Sequence, residues 1–142
     1  MSKYHLPNIS VVTLKDYSLQ QVFNHVVYHL LMQNKKSTYD KKNSRCRYRG
    51  ADNCKCAAGW VISDEEYRVT MEGVNFETVC EKHIQCVSYD HIGLLTSLQM
   101  IHDHVSVVNW PTSLNRLATG YALNTQVITD TIQERDNNEQ TK

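Results

Sequence analysis

Thiols, imidazoles and alternating arginines are the residues of this sequence most able to do chemistry. Five cysteines stand at positions 46, 54, 56, 80 and 86. Structural zinc sites usually pair their ligands across two to four intervening residues. Cys54-x-Cys56 is too tight for that knuckle. Cys80-x-x-His83 and His83-x-x-Cys86 come closer, but they share one histidine and so form a single unit. The candidate metal set is this unit with Cys54 or Cys56, and with Cys46 nearby in sequence. The competing reading is that all five thiols are small core hydrophobes. That reading is the expectation, with no metal and no cofactor.

Acid–base chemistry points to His25, His29 and the run His102-Asp103-His104. His25 and His29 share a helix face at i and i+4, yet H-x₃-H lacks the glutamate of a zincin helix. His102 and Asp103 are neighbours, and neighbouring helical side chains point in different directions. No phosphate-cradling glycine loop and no nucleophile elbow accompany them. A non-enzymatic protein is expected.

The segment RCRYRGADNCKC, residues 45–56, alternates arginine with cysteine or tyrosine. Period-two alternation predicts a β-hairpin over about 45–62, turning at Gly50-Ala51-Asp52. It would place Cys46, Tyr48, Cys54, Cys56, Ala58, Trp60 and Ile62 inward, and Arg45, Arg47, Arg49 and Lys55 outward. Alternate strand positions lie about 6.6 Å apart, close to the phosphate spacing of an extended nucleic acid strand. With Lys41 and Lys42, this face is the candidate binding surface for an acidic protein patch or for nucleic acid. Residues 35–55 carry eight Lys and Arg against two Asp, a local charge of +6. Residues 64–81 carry six acids against one Arg, a charge of −5. The two regions neutralise one another within one chain, or meet across a homodimer interface.

Helices must hold this ribbon, because a lone two-stranded hairpin is marginally stable. Ser18 and Gln21 form a capping box ahead of apolar residues at helical spacing, which predicts a helix over 18–33. A second box, Ser63 with Glu66, predicts a short helix at 64–68. Periodicity predicts further helices at 75–85, at 90–104 with Asp90 as N-cap, and from Trp110-Pro111 onward. Trp60 and Trp110 read as core residues. The chain has 142 residues, 41% of them hydrophobic, with no net charge. That suits one α+β domain over 1–129, followed by a polar, frayed tail over 130–142. Zero net charge argues against attachment to nucleic acid or membrane by bulk charge. The opening MSKYHLPNIS lacks a basic segment followed by an apolar one, and no 18-residue apolar run occurs. A cytoplasmic protein with reduced thiols is expected.

The stretch YRGADNCKCAAGWVISDEEY, residues 48–67, resembles a group of small proteins encoded by tailed bacteriophages and some bacterial genomes. The same resemblance extends to Val22-Phe23-Asn24-His25-Val26, to Leu98-Gln99-Met100-Ile101-His102-Asp103, and to Trp110 through Leu117-Ala118. The chain departs from the group's pattern at Asn53-Cys54 and at Trp60, positions of turn and packing. The resemblance implies an accessory protein that binds and modulates or inhibits a host macromolecule. A host protein of defence or nucleic-acid metabolism is the expected partner, with nucleic acid as the alternative.

Overall fold

The structure, a computed structural model, describes residues 2–38, 46–83 and 87–140. Among these, the chain is helical. α1 spans Leu19–Gln33, α2 Phe76–Cys80, α3 Tyr89–His104, α4 Trp110–Gly120 and α5 Gln126–Gln140, with short 3-10 turns between them. The only β contact among the described residues is an isolated antiparallel bridge between Thr38 and Cys46. The expected α+β fold with a hairpin over about 45–62 is not what forms.

The reason lies in who accepts the backbone N–H groups. Burial follows the expected alternation only in part: Tyr48, Cys54, Cys56, Ala58 and Ile62 are buried, but so are Ala57, Gly59 and Val61, while Cys46 and Trp60, expected inward, are half-buried. Alternate burial, however, does not require a partner strand. Glu72 accepts the N–H of Tyr48 at 2.9 Å and that of Arg49 at 3.1 Å through its two carboxylate oxygens. The Gln33 side-chain oxygen takes the Lys55 N–H at 2.9 Å, and that of Gln99 takes the Ala58 N–H at 3.1 Å. Main-chain pairing runs instead to residues 37 and 38, where Arg47 donates to Ser37 O and Ala51 to Thr38 O. Beyond Cys56 the chain coils into a 3-10 turn, Ala58–Val61. Gly59 permits this coil to lie against Tyr48, since a Cβ there would come within 2.5 Å of the Tyr48 carbonyl oxygen.

α1 is the central element. Its capping box is present as expected, with Ser18 accepting from Gln21 N–H and Gln21 returning the bond. Asn34 closes the helix in the left-handed region, at φ 56°. Its stripe of Val22, Phe23, Val26, Val27, Leu30 and Leu31 is fully buried. Each such side chain stabilises the fold by about 1.5–3 kcal/mol relative to an exposed one. α3 adds Leu94, Leu95 and Leu98 to this core, and α4 adds Trp110 and Leu114. The Trp110 indole N–H donates to Val105 O at 3.0 Å, so the buried ring leaves no donor unpaired.

Other boundaries depart from expectation. α3 is capped by Ser88 rather than Asp90. The second capping box forms, with Ser63 N–H on Glu66 Oε1 and Glu66 N–H on Ser63 Oγ, but only one turn follows. Glu66 is held elsewhere, because its carboxylate also accepts the N–H groups of Val11 and Val12. The helix expected over 75–85 is α2 followed by the 3-10 turn Glu81–His83. The segment from 130, expected to fray, is the body of α5. Val127, Ile128 and Thr131 are buried, and Arg135 Nη1 donates to Leu31 O at 2.9 Å. No helix among the described residues is long and apolar enough to cross a membrane.

Replacing Ile128 by Ala should lower the free energy of unfolding by about 2–5 kcal/mol, as for other buried aliphatic truncations. Urea titration measures this, and an unchanged midpoint would mean that α5 does not belong to the core.

Candidate metal centre

The last turn of α3 and the start of the 46–62 segment bring together residues far apart in sequence. α3 carries Gln99 and, one turn later, His102 and Asp103. The Thr38–Cys46 bridge and the Arg47 N–H bond to Ser37 O hold Cys46 opposite them. Ligand atoms of Cys46, His102 and Asp103 all lie within 4.8 Å of one another. His102 is fully buried and the Asp103 side chain about a quarter exposed.

Hydrogen bonds define the present state of the cluster. His102 Nδ1 and Asp103 Oδ1 are 2.8 Å apart. Ser37 N–H donates to His102 Nε2 at 3.0 Å, so Nε2 carries no proton and Nδ1 donates to the carboxylate. Gln99 Nε2 donates to Asp103 Oδ1 at 2.8 Å and to Cys46 Sγ at 2.7 Å. A hydrogen bond between the Cys46 and Cys56 side chains, aided by burial, pushes the Cys46 thiol far above its ordinary pKa. Without a cation nearby Cys46 is therefore a thiol and a poor nucleophile. Burial works against the Asp103 carboxylate, but hydrogen bonds from His102 and Cys46 outweigh it and hold its pKa below the usual value. His102 Nδ1 is held by Asp103 and Nε2 by the Ser37 N–H, so no nitrogen is left as the base for the thiol that a cysteine–histidine–aspartate triad requires. A soft thiolate, an imidazole and a carboxylate converging on one point are instead the donors of a zinc-type cation.

A second group, His5, His25 and His29, also brings its ligand atoms within 4.8 Å of one another, but it offers no anionic donor. Leu6 N–H donates to His25 Nδ1 at 3.0 Å, and His25 Nε2 donates to Trp60 O at 2.9 Å. Both nitrogens of His25 are therefore committed. His5 Nδ1 and His29 Nε2 share a 2.8 Å hydrogen bond, and the His29 ring stacks on Trp60 at 4.1 Å. These contacts fasten the N-terminal residues to α1. Burial lowers His25 to about 4, with smaller effects from His5 and Lys55. Burial likewise lowers His29 to about 3, with His25, His5 and Lys55 adding to it.

The residues expected to form an outward basic face are spent inward. Arg49 Nη1 donates to Gly59 O at 3.0 Å, and Nη2 to Ile62 O at 2.8 Å and Asp64 Oδ1 at 3.1 Å. Its guanidinium also lies over the Tyr67 ring. Arg47 is half-buried beside Glu72, and its Nε donates to Arg49 O. Lys55 lies over the Trp60 ring, 4.0 Å from Asp64. The +6 and −5 regions thus meet within one chain at these residues. Arg45, Lys41 and Lys42 lie outside the described residues.

Of the expected metal set, Cys46 is the one described side chain that joins the cluster. Cys54 and Cys80 are buried apart from it, and burial pushes Cys80 up to about 12. Cys86 and the His83 side chain lie outside the described positions. His104 is exposed at the end of α3. Sequence reading singled out His102 and Asp103 and also Cys46, but no local spacing joins them. No family model, curated protein or solved structure matches this chain.

Arg49→Ala should destabilise the fold by about 3 kcal/mol, because two buried carbonyl groups lose a charged donor. Loss of binding to a partner with an unchanged urea midpoint would return Arg49 to a surface role. His25 has a second consequence. Its folded pKa lies below its unfolded value of about 6.5, so the unfolded chain binds more protons between the two. Its stabilisation is full above pH 6.5 and is lost as pH falls toward 4. Between pH 7 and pH 5 this loss should reach about 2 kcal/mol, above the range in which most carboxylates titrate. A flat stability profile there would show that His25 protonates without penalty.

Proposed function

We propose that this chain is a non-enzymatic binding module built around a zinc-type divalent cation held by Cys46, His102 and Asp103. The supporting observation is the convergence of their three ligand atoms within 4.8 Å, between two elements that no sheet joins. A tetrahedral zinc ion spaces its donors about 3.3–3.8 Å apart. The 2.8 Å contact between His102 and Asp103 lies just inside that spacing, so an ion exchanges hydrogen bonds for coordinate bonds with small side-chain movements. Binding at His102 Nδ1 moves its proton to Nε2, where it faces the Ser37 N–H, and the two buried donors left without an acceptor cost about 1–3 kcal/mol each. Structural zinc sites gain about 10–16 kcal/mol, so the exchange favours the ion. Two anionic ligands balance the ion's charge, which suits a half-buried site.

The ion's effect is to staple the 46–62 segment to the C-terminal turn of α3. The accessory role on a host protein, implied by the phage resemblance, would use the surface that this staple fixes. Arg47 and Arg49 are not that surface's free cations, since their donors serve internal carbonyl and carboxylate groups. That geometry also favours a protein partner over nucleic acid, which would need those donors for phosphate.

Purified protein should retain or take up one zinc ion per chain, and cobalt substitution should give thiolate-to-metal absorption with tetrahedral d–d bands. Cys46→Ser and Asp103→Asn should each weaken binding at least 100-fold and remove the zinc-dependent rise in melting temperature. Wild-type protein that gives no cobalt spectrum and no zinc-dependent stabilisation would end this reading.

A further inference from the structure

Two of the three cluster ligands form part of the wall of a cavity of about 330 Å³. Cys46 and Asp103 line it, together with Tyr48, Val74, Phe76 and Met100. Its character is thus apolar except at the cluster and at Asn75, Thr96 and Gln99. Met100 is more than half exposed at the rim. The volume is about twice the 150 Å³ that accommodates benzene in an apolar protein cavity. Sites with three protein ligands leave the fourth zinc position open, whereas a fourth protein ligand closes it. Cys56 is the obvious fourth ligand. It is fully buried and hydrogen-bonded to Cys46, but the group converging within 4.8 Å does not include it.

Resting on the metal reading above, we infer that the ion's fourth position faces this cavity. There it takes a small molecule with an apolar body and one anionic coordinating head, a carboxylate or a thiolate. The head completes the tetrahedron and the body lies against Tyr48, Val74, Phe76 and Met100. Cys56 remains a hydrogen-bond partner of the coordinated sulfur. The cavity lining presents no cationic side chain among the described residues, so the head's charge is met by the ion itself. This makes binding of such a molecule depend on the metal.

The test uses the cobalt-loaded full chain, titrated with 3-phenylpropionate, benzyl mercaptan and, as the head without the body, acetate. Phenylpropionate and benzyl mercaptan should shift the d–d bands at concentrations at least ten-fold below acetate. Thr96 is exposed at the rim, and Thr96→Trp should leave the unliganded spectrum unchanged while weakening both aromatic probes at least ten-fold. Cys56→Ser should retain the cobalt bands. A cobalt spectrum that no probe shifts and that Cys56→Ser abolishes would place Cys56 in the fourth position, overturning this inference while leaving the metal reading intact. Equal potency of acetate and phenylpropionate would remove the cavity from it. Absence of any cobalt spectrum would overturn both.

Discussion

A buried segment without a sheet must still find a partner for every backbone N–H, and this constraint organises the molecule. Leaving one such group unpaired inside costs about 1–3 kcal/mol. Strands solve the problem with each other. Here carboxylate and amide side chains solve it, reaching in from three elements. Glu72 takes two donors from the 48–49 stretch, Gln33 one from Lys55, and Gln99 one from Ala58. Glu66 does the same for Val11 and Val12 while also bonding the Ser63 N–H. The arginines complete the pattern from the donor side, since Arg49 supplies the carbonyls of Gly59 and Ile62. Alternation of apolar and basic residues is therefore a device for internal satisfaction, not for display.

The same constraint explains what the sequence made legible. α1 could be read to within a residue, because its capping box, apolar stripe and closing Asn34 are all local signals. The start of α3 was displaced by two residues because Ser88 and Asp90 are both good N-caps, and the Ser88 hydroxyl is the one that accepts from His91 N–H. The hairpin was misread for a deeper reason. Period-two burial records which side chains face the core and says nothing about what pairs with the backbone between them. Gln33, Glu72 and Gln99, which supply that pairing, are distant in sequence and carry no signal of the role. α5 was hidden by its polar composition. Its hold on the core comes from Val127, Ile128 and Thr131 near its start and from Arg135 reaching the end of α1.

The site divides along the same line. His102-Asp103 was recognisable as a potential acid–base pair, and Cys46 as a potential ligand, from residue type alone. Their meeting depends on the 46–49 stretch running beside residues 37–38 rather than beside 54–56. Cys46 still meets the Cys56 side chain, as a hairpin would have had it, but it also meets the end of α3, which the strand pattern did not announce. The correction to the fold thus also moves the candidate chemistry, from the C-x-x-H unit near residue 80 to the end of α3.

Gln99 connects these levels, because one amide serves the turn, the helix and the cluster at once. Its oxygen holds the Ala58 N–H, while its nitrogen donates to Asp103 and to Cys46. An ion bound between Cys46 and Asp103 would draw on the same sulfur and carboxylate oxygen that this amide now serves. The bond to Ala58 constrains how far that amide can turn, so the 58–61 coil feels the state of the cluster. Any binding energy that moves Gln99 is reciprocally a change in metal affinity. Gln99 also lines the cavity. Cavity, candidate metal ligands and the coil that replaces the hairpin are therefore joined through one side chain, Gln99.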